Sequence, residues 1–412
     1  MSPQVVAAII AGALTVIGTL AAQIYGRRAT SRDTRATLDR TLAEQREQLD
    51  KTLEAQSDQL KQTLAEQRTR TLNERFATAA EQIGQERPAV RLAGVYAMAG
   101  LADDWEEKRQ TCVDVLCAYL RMPYEPPGQD APVRERLAFG ADREARHTVI
   151  RVITAHLKDG AAVSWQGLNF DFTGVVFDGG GFDGAKFSGG TVSFRFAKFS
   201  GGTVRFIRAE FSGGIVDFDA AEFSGGEVFF DGAEFSGGEV YFGYAKFSGS
   251  QVSFGSAEFS GGMVRFDEAE FSRGTVRFDD ARFSGGTVYF DARFSGGTVS
   301  FLAAEFSGSQ VTFGSAEFSG GMVRFDEARF YGGEVGFIRT KFSGGTVRFD
   351  YARFSGGTVR FSAAAEFSGG EVDFNGVANW SVPPTFPWTG TPPPGVKLPE
   401  KEDQSRAQRS AD

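Results

Sequence analysis

The chain is poor in the residues that build metal sites, disulfide frameworks and most nucleophilic active sites. Its 412 residues include only two Cys and two His, so zinc centres and imidazole catalysis have almost nothing to use. With only 13 Pro, a collagen-like chain is excluded. The formal net charge of −9 excludes a general nucleic-acid binder, because such a protein needs a basic surface. We therefore expect no metal, no cofactor and no enzymatic activity.

Phe and Gly are the residues present in excess, at 41 and 52 copies. A hydrophobic content of 41% is enough to bury a core, so disorder is not expected as the main state. This composition indicates an architecture more clearly than a reaction.

The amino-terminal residues 1–26 have the pattern of a membrane anchor. Val5 to Tyr25 carries no charge, and a helix of that length spans about 31 Å, close to the hydrocarbon thickness of a bilayer. A cleaved signal peptide is the alternative, but no basic residue precedes the apolar run. Because Arg27 and Arg28 follow it, we expect a single span in the inner membrane, with the amino terminus outside and the remaining domains cytoplasmic.

Residues 27–83 repeat with a period of eleven. Leu38, Leu49 and Leu60 share this spacing, and the segment contains no Gly or Pro. Eleven residues correspond to three turns at 3.67 residues per turn, so the leucine stripe is nearly straight. The pattern predicts a long helical stalk. It is either a possible coiled coil that, with the membrane span, makes a homo-oligomer, or a lone helix held by charges.

Residues 84–160 read as a small all-helical domain. Its candidate chemical groups do not converge. Cys112 and Cys117 are about 140° apart around a helix, and His147 and His156 fall on opposite helix faces. We interpret these four residues as core or otherwise satisfied side chains. The acidic residues nearby are interpreted as helix-end carboxylates. They are Asp103, Asp104, Glu106 and Glu107.

A twelve-residue unit recurs from Phe187 onward, and its Phe spacing alternates between seven and five. Phe187, Phe194, Phe199 and Phe206 show this alternation, with Val or Ala two residues before most of the later Phe. Repetition on this scale predicts a solenoid. Two units make a coil of 24 residues. A coil of only twelve residues is the alternative, but two Phe, one Val and one Ala are too bulky for its interior.

The unit resembles the pentapeptide-repeat family, whose basic element is Ala-(Asp or Asn)-(Leu or Phe)-x-x. The segments 185–189 (AKFSG) and 209–213 (AEFSG) carry the resemblance, which covers residues 165–378. It implies a right-handed quadrilateral β-helix in which the central Phe and the residue two before it face inward. The two-residue insertion in alternate faces departs from the family pattern. Segments 74–76 and 89–97 are similar to a helical region of membrane-anchored members.

Two irregularities and one terminal segment complete the pattern. Phe290 to Phe294 is one residue short, which predicts a tightened corner, and Phe361 to Phe367 is one residue long, which predicts a bulge. Residues 379–412 begin with aromatic residues among prolines, which we expect to cover the open end of the β-helix before a disordered tail.

These features favour a non-enzymatic, membrane-tethered scaffold that presents a repeat surface to unknown protein partners. The repeat carries a net charge of −7. Acidic ladders such as Asp217, Glu227 and Glu239 could bind cations, but we interpret them as solvated surface carboxylates. A nucleic-acid mimic that inhibits topoisomerases is the first alternative, and a purely structural spacer is the second. Nucleic acid itself is not expected as a partner.

Overall fold

The computed structural model describes residues 32–128, 130–362 and 364–400. The chain divides into two compact units, the first ending at Thr71 and the second beginning at Leu72. The described helices are α1 (Arg32–Ile83), α2 (Pro88–Asp104), a 3₁₀ turn (Glu106–Lys108), α3 (Arg109–Leu120) and α4 (Val133–Leu157). Pro88 occupies the first turn of α2, where its missing N–H leaves no hydrogen bond unmade.

The predicted fold class requires correction in its amino-terminal part. Among the four described α-helices, none combines the length and the apolar character that crossing a membrane requires. The predicted span from Val5 to Tyr25 lies outside the described residues.

The prediction of a separate long helical stalk over residues 27–83 is also wrong. Helix α1 continues through Leu72 into the second unit, where Leu72, Ala79 and Ile83 are buried. Leu72, Ala79 and Ile83 are separated by seven and four residues, so they lie on one face of the helix and give that face a surface to pack. Before Thr71, the repeat leucines are exposed, including Leu49 and Leu60.

The helical residues of the second unit and the repeat share one continuous hydrophobic core. Helix α4 lies against the first coil, where Thr154 donates a hydrogen bond to the Gly181 carbonyl at 2.8 Å and Arg146 donates one to the Val176 carbonyl at 3.2 Å. Helix α4 begins at Val133, but its buried residues begin only at Ala145. The helical segment therefore covers the amino-terminal end of the repeat core.

Twenty-seven strands follow the helices in the described part of the chain. The first fourteen are β1 (Phe170–Asp171), β2 (Val176–Phe177), β3 (Gly180–Gly181), β4 (Lys186–Ser193), β5 (Lys198–Phe199), β6 (Thr203–Arg205), β7 (Glu210–Asp217), β8 (Glu222–Phe223), β9 (Glu227–Phe229), β10 (Glu234–Phe235), β11 (Glu239–Tyr241), β12 (Lys246–Ser253), β13 (Glu258–Phe259) and β14 (Met263–Arg265). The others are β15 (Glu270–Arg277), β16 (Arg282–Phe283), β17 (Thr287–Tyr289), β18 (Arg293–Ser300), β19 (Glu305–Phe306), β20 (Gln310–Thr312), β21 (Glu317–Arg324), β22 (Arg329–Phe337), β23 (Lys341–Arg348), β24 (Arg353–Phe361), β25 (Glu366–Phe367), β26 (Glu371–Asp373) and β27 (Val396–Lys397).

All strand pairings join successive coils in parallel, and they define two sheets. Sheet A contains β1, β4, β7, β10, β11, β13, β14, β16, β17, β19, β20, β22 and β24, and sheet B contains the remaining fourteen strands. Phe187 pairs with Phe211 and Phe199 pairs with Phe223, so a coil has 24 residues and the twelve-residue alternative is excluded. The repeat is a parallel β-solenoid of about nine coils.

Two kinds of corner turn the chain through each coil. After Phe194, a tight turn is closed by a 3.0 Å hydrogen bond from the Ala197 N–H to the Phe194 carbonyl, with Phe196 at φ 56°. The Ser-Gly-Gly corner instead brings backbones together. A Cβ atom on Gly238, which has φ +68°, would lie 2.6 Å from the Gly214 carbonyl oxygen. Glycine therefore suits this conformation at Gly238. Ser250 and Ser309 occupy the equivalent position in two other corners, where the φ angle is not positive.

The core consists of stacked Phe, Val and Ala ladders. Phe242, Val240 and Ala245 are each at most 2% exposed, as the inward-facing pattern predicted. Phe242 stacks on its counterpart in the preceding coil and meets Phe230 edge to face, with ring centroids 6.0 Å apart. Aromatic rings favour both arrangements, so every coil repeats the same set of contacts.

The two predicted irregularities occur in corners. The Ala292 N–H donates to the Phe290 carbonyl at 2.8 Å, a three-residue turn that confirms the tightened corner. The extra residue after Phe361 is accommodated between strands, since Phe342 pairs with Phe367, 25 residues on. It lengthens the corner instead of making a strand bulge.

The carboxy-terminal aromatic residues cover the last coil. Trp380 packs on Phe374, Phe386 stacks on Phe361 with centroids 5.3 Å apart, and Trp388 meets Phe367 edge to face. Strand β27 then pairs with β26. The predicted aromatic cover is present within the described residues, whereas the predicted disordered tail falls largely on residues 401–412, outside them.

Candidate functional surface

The solenoid arranges its outward side chains in ladders. Because pairing is in register, equivalent residues of successive coils lie about 4.8 Å apart on the same sheet. Residues twelve apart in sequence lie on different sheets, whereas residues 24 apart are neighbours. Each sheet therefore presents its own set of outward residues.

Sheet A carries an uninterrupted run of glutamates. Glu210 pairs in register with Glu234, and Glu234 pairs with Glu258. Like charges directly opposite each other on neighbouring strands are destabilising. The fold therefore keeps these three carboxylates together at some cost.

The neighbouring outward positions of the same three coils add further carboxylates. We define the acidic face as the outward residues of 210–220, 234–244 and 258–268, which comprise strands of sheet A and the corners that follow them. These residues carry eight acidic groups against one basic group, a net charge of −7. The acidic groups are Glu210, Asp217, Asp219, Glu234, Glu239, Glu258, Asp267 and Glu268, and the basic group is Arg265.

Several of these carboxylates have partners. Glu210 pairs with Lys186 at 2.9 Å and Asp267 pairs with Arg265 at 2.6 Å. Within the part of the chain that the structure describes, Glu234 and Glu258 take part in no ion pair. Asp217 also pairs with Arg195 and Glu268 with Arg293, so four of the eight carboxylates have a basic partner. The negative potential of the face therefore comes mainly from the other four, which are Asp219, Glu234, Glu239 and Glu258.

The acidic face also raises the pKa of its own carboxyl groups. Burial and the nearby charges of Asp217 and Asp267 raise the pKa of Asp219, although its carboxylate accepts a 2.7 Å hydrogen bond from the Gly243 N–H. Burial is the main cause of this raised pKa, and the neighbouring carboxylates add to it.

Apolar and aromatic side chains are interleaved with the carboxylates. Tyr244 is 65% exposed and Ile215 is 39% exposed on the same face. Exposed aromatic residues beside charged groups are typical of protein interfaces. The acidic face therefore has both the charge and the contact area to bind a partner.

Sheet B differs in its charge pattern. The ladder equivalent to the glutamate run alternates strictly in sign along eight paired positions. Its members are Lys198, Glu222, Lys246, Glu270, Arg293, Glu317, Lys341 and Glu366. Over the seven coil segments from Lys198 to Tyr351, the outward positions of this sheet hold ten basic and ten acidic residues, so its net charge is zero. Over the matching seven segments from Lys186 to Arg339, sheet A holds six basic and eleven acidic residues, a net charge of −5. The three coils of the acidic face account for this excess.

The predicted acidic ladder is divided by the fold. Asp217 and Glu239 lie on sheet A, whereas Glu227 lies on sheet B, where it pairs with Gln251. The excess of acidic residues on sheet A is visible in the sequence only when every second twelve-residue unit is compared, because residues on the same sheet are 24 apart.

The two cysteine thiols are buried away from solvent. Burial raises the pKa of Cys112 to about 11 and that of Cys117 to about 12, so both are protonated at neutral pH. Both are free thiols in the core of the helical segment.

The two histidines pair with different carboxylates. His147 Nε2 lies 3.0 Å from Asp178, which also accepts a 2.7 Å hydrogen bond from the Tyr124 hydroxyl. Burial alone would raise the pKa of Asp178, but hydrogen bonds from His147 and Tyr124 outweigh it and lower the pKa. This group fixes α4 against the first coil.

Asp103 has a similar structural role at the end of α2. It accepts hydrogen bonds from the Trp165 indole at 2.9 Å and faces His156 Nε2 at 3.1 Å, while His156 stacks on Trp165. Asp104 pairs with Arg75. No local sequence pattern predicts the Asp103 contacts, because they join residues more than fifty positions apart.

Within the described residues, no group of three or more His, Cys, Asp or Glu side chains is placed to hold a metal ion. Comparison with known proteins finds no matching family model, no matching curated protein and no matching solved structure. The fold and surface together define a β-solenoid repeat protein with one acidic face and one neutral face.

Proposed function

We propose that the chain is a non-catalytic scaffold that binds a basic protein segment on the acidic face of its solenoid. The unequal charge of the two sheets carries this proposal. Both sheets are built from the same repeat and have the same backbone, so the fold does not require their charges to differ. A net charge of −7 on three coils attracts a cationic partner, and Tyr244 and Ile215 supply contact area.

We also propose that the repeat is a pentapeptide-repeat variant with a two-residue insertion in alternate faces. Its inward Phe, the Ala or Val two residues before each Phe, and its 24-residue coil support this assignment.

The length of the acidic face favours a short basic segment over nucleic-acid mimicry. Three coils at about 4.8 Å per coil extend about 14 Å, the rise of roughly four base pairs of B-form DNA. Arg282 and Lys186 end the glutamate run on either side. A DNA mimic needs a longer continuous acidic surface.

Binding of a labelled peptide of alternating lysine and serine to the full-length protein tests the proposal. Replacing Glu234 and Glu258 by Lys should weaken binding at least about tenfold and reduce its salt dependence. The matched control replaces Glu222 and Glu270 by Lys, which makes the same change in net charge on sheet B. This control should change the affinity less than about threefold.

Equal loss of affinity in the two variants would show that binding follows net charge and not the acidic face, which contradicts the proposal. Inhibition of topoisomerase supercoiling by the wild-type protein, abolished by the sheet A variant alone, would instead support the mimic.

A further inference from the structure

The tightened corner after Phe290 leaves a notch in the surface of sheet A. In the preceding coil, the corner after Phe266 has a positive-φ residue at its tip, Glu268. The following coil has Ser315 at the same place. The short corner between Phe290 and Phe294 has no equivalent tip residue. One outward side chain is therefore missing from the row.

Two glycines deepen the notch. Gly314 follows Asp267 and Asp291 at the same position of successive coils, and it lies beside the Asp291 carboxylate. Gly336 pairs with Thr312 of the coil before it. The resulting cavity has a volume of about 320 Å³. The polar side chains that line it are Tyr289, Asp291, Gln310, Thr312, Ser315, Glu334 and Arg339.

A buried carboxylate oxygen lies in this cavity wall without a partner. Oδ1 of Asp291 completes no hydrogen bond with any described residue. At the equivalent corner positions, Asp219 and Asp231 each accept a hydrogen bond from the glycine N–H of the next coil, at 2.7 and 2.9 Å. Leaving a charged acceptor unsatisfied is costly, so the site favours a donor supplied from outside.

The cations around the notch offset the charge of Asp291 only in part, because the charge of Arg265 lowers the pKa of Asp291 but does not outweigh its burial. Arg265 is held by Asp267, and Glu334 is held by Arg360 at 2.7 Å. Burial, and then the charge of Asp267, raise the pKa of Asp291 to about 6, while the nearby Gly314 N–H acts in the opposite direction. Arg339 also lines the cavity, and no ion pair between it and Asp291 is formed.

We propose that this notch binds the ammonium group of a lysine side chain, with Asp291 as its counter-ion. The inference rests on the proposed function, since the notch lies in sheet A one coil beyond the acidic face and would anchor the same basic segment. A lysine ammonium is a compact charge with three donors. It matches one carboxylate surrounded by the oxygen acceptors of Gln310, Thr312 and Ser315.

Methylammonium tests the notch directly, without a peptide. The carboxyl ¹³C resonance of Asp291, assigned with Asp291→Asn, is followed through pH titrations at constant ionic strength in methylammonium or tetramethylammonium chloride. Methylammonium should lower the apparent pKa of Asp291, whereas tetramethylammonium, which has no N–H donor, should not. The same shift in both salts would mean screening alone and would overturn the proposal.

The peptide of alternating lysine and serine separates the notch from the acidic face. Asp291→Asn should weaken its binding about fivefold to tenfold, and the matched variant Asp231→Asn on sheet B should not. Inserting one Gly between Asp291 and Ala292 keeps the carboxylate but fills the notch, and should weaken binding similarly. If the acidic-face variant loses binding while Asp291→Asn and the insertion do not, the notch is refuted and the proposed function stands. If the wild-type protein does not bind the peptide, the proposed function fails, and the methylammonium titration still decides the notch.

Discussion

The ring of Phe218 lies parallel to the ring of Phe242 in the next coil, with centroids 4.7 Å apart and planes within 4°. Phe242 also contacts rings at other corners of the core, including Phe230. Each Phe is thus held by neighbours in the coils before and after it. Removing one ring opens a cavity that the adjacent coils cannot fill without losing their own stacking.

We expect Phe242→Ala to lower the free energy of unfolding by about 3–5 kcal/mol, as for other large-to-small changes at fully buried aromatic residues. Chemical denaturation followed by circular dichroism measures the change. Phe196→Ala is the matched control, because Phe196 is 53% exposed at a corner tip, and it should change stability by less than about 1 kcal/mol. Similar losses in the two variants would contradict the stacked-core description.

The corner tips provide a test of backbone conformation alone. Gly232 has φ 62°, and a Cβ there would meet only Arg208 Cγ at 3.6 Å, which is ordinary contact. Gly232→Ala should therefore cost about 1 kcal/mol, the penalty for a left-handed L-residue. Ala220 has φ 55° at another tip, so Ala220→Gly should be neutral or stabilising by up to about 1 kcal/mol. Thermal unfolding of both variants measures these values, and a stabilising Gly232→Ala would contradict them.

The Ser-Gly-Gly corner should respond differently. Gly238→Ala places a Cβ against the Gly214 carbonyl oxygen. The Gly214 backbone is held in the solenoid and cannot move aside as a flexible side chain can. We expect a loss of more than about 2 kcal/mol, clearly above that of Gly232→Ala, because a steric clash adds to the unfavourable φ. Denaturation of the two variants under one set of conditions gives the comparison. Equal losses would mean that the corner relaxes freely.

Much of the solenoid followed from the sequence, because its periodicity is a direct consequence of packing. Phe187 and Phe211 recur at the coil length, so the inward positions and the 24-residue coil were predictable. The amino-terminal organisation was not. The burial of Leu72 and Ile83 depends on packing within the second unit, where Gly94 of α2 comes close to the backbone at Ile83.

The candidate surface was only partly predictable for a related reason. The short corner at Phe290 is visible in the sequence, and a tightened turn follows from it. The cavity beside Asp291 also depends on Gly314 and Gly336, which lie one and two coils away. Which residues become neighbours across coils is decided by the register, so chemistry at this surface required the fold first.

The exposed leucines of α1 before Thr71 lead to a prediction about self-association. Leu49 is 53% exposed and Leu60 is 44% exposed, eleven residues apart. Such a stripe leaves apolar surface exposed along the helix, so we expect two or more chains to bury it together. Replacing both leucines by Lys should shift the protein toward monomer in sedimentation velocity experiments. The control replaces Gln48 and Gln59 by Lys, which adds the same charge one residue earlier. A monomeric wild-type protein at tens of micromolar would contradict the proposal.

Asp291 and Asp178 should influence the pH dependence of stability in opposite directions. The pKa of Asp291 is raised to about 6, so the folded state binds its proton more tightly than the unfolded chain does. Stability is then lost as pH rises from about 4 to about 6, and Asp291→Asn should be more stable than wild type at pH 8 by about 1–2 kcal/mol, allowing for its partial exposure. The difference should vanish near pH 4.

The pKa of Asp178 is lowered, so its contribution is present above the ordinary aspartate pKa and is lost as pH falls through the folded value. Asp178→Asn should therefore be less stable than wild type at pH 8, with a difference that shrinks in acid. Urea denaturation of the three proteins between pH 3 and pH 8 gives both curves. Differences that do not change with pH would show that the amide substitutions act through packing and not through charge.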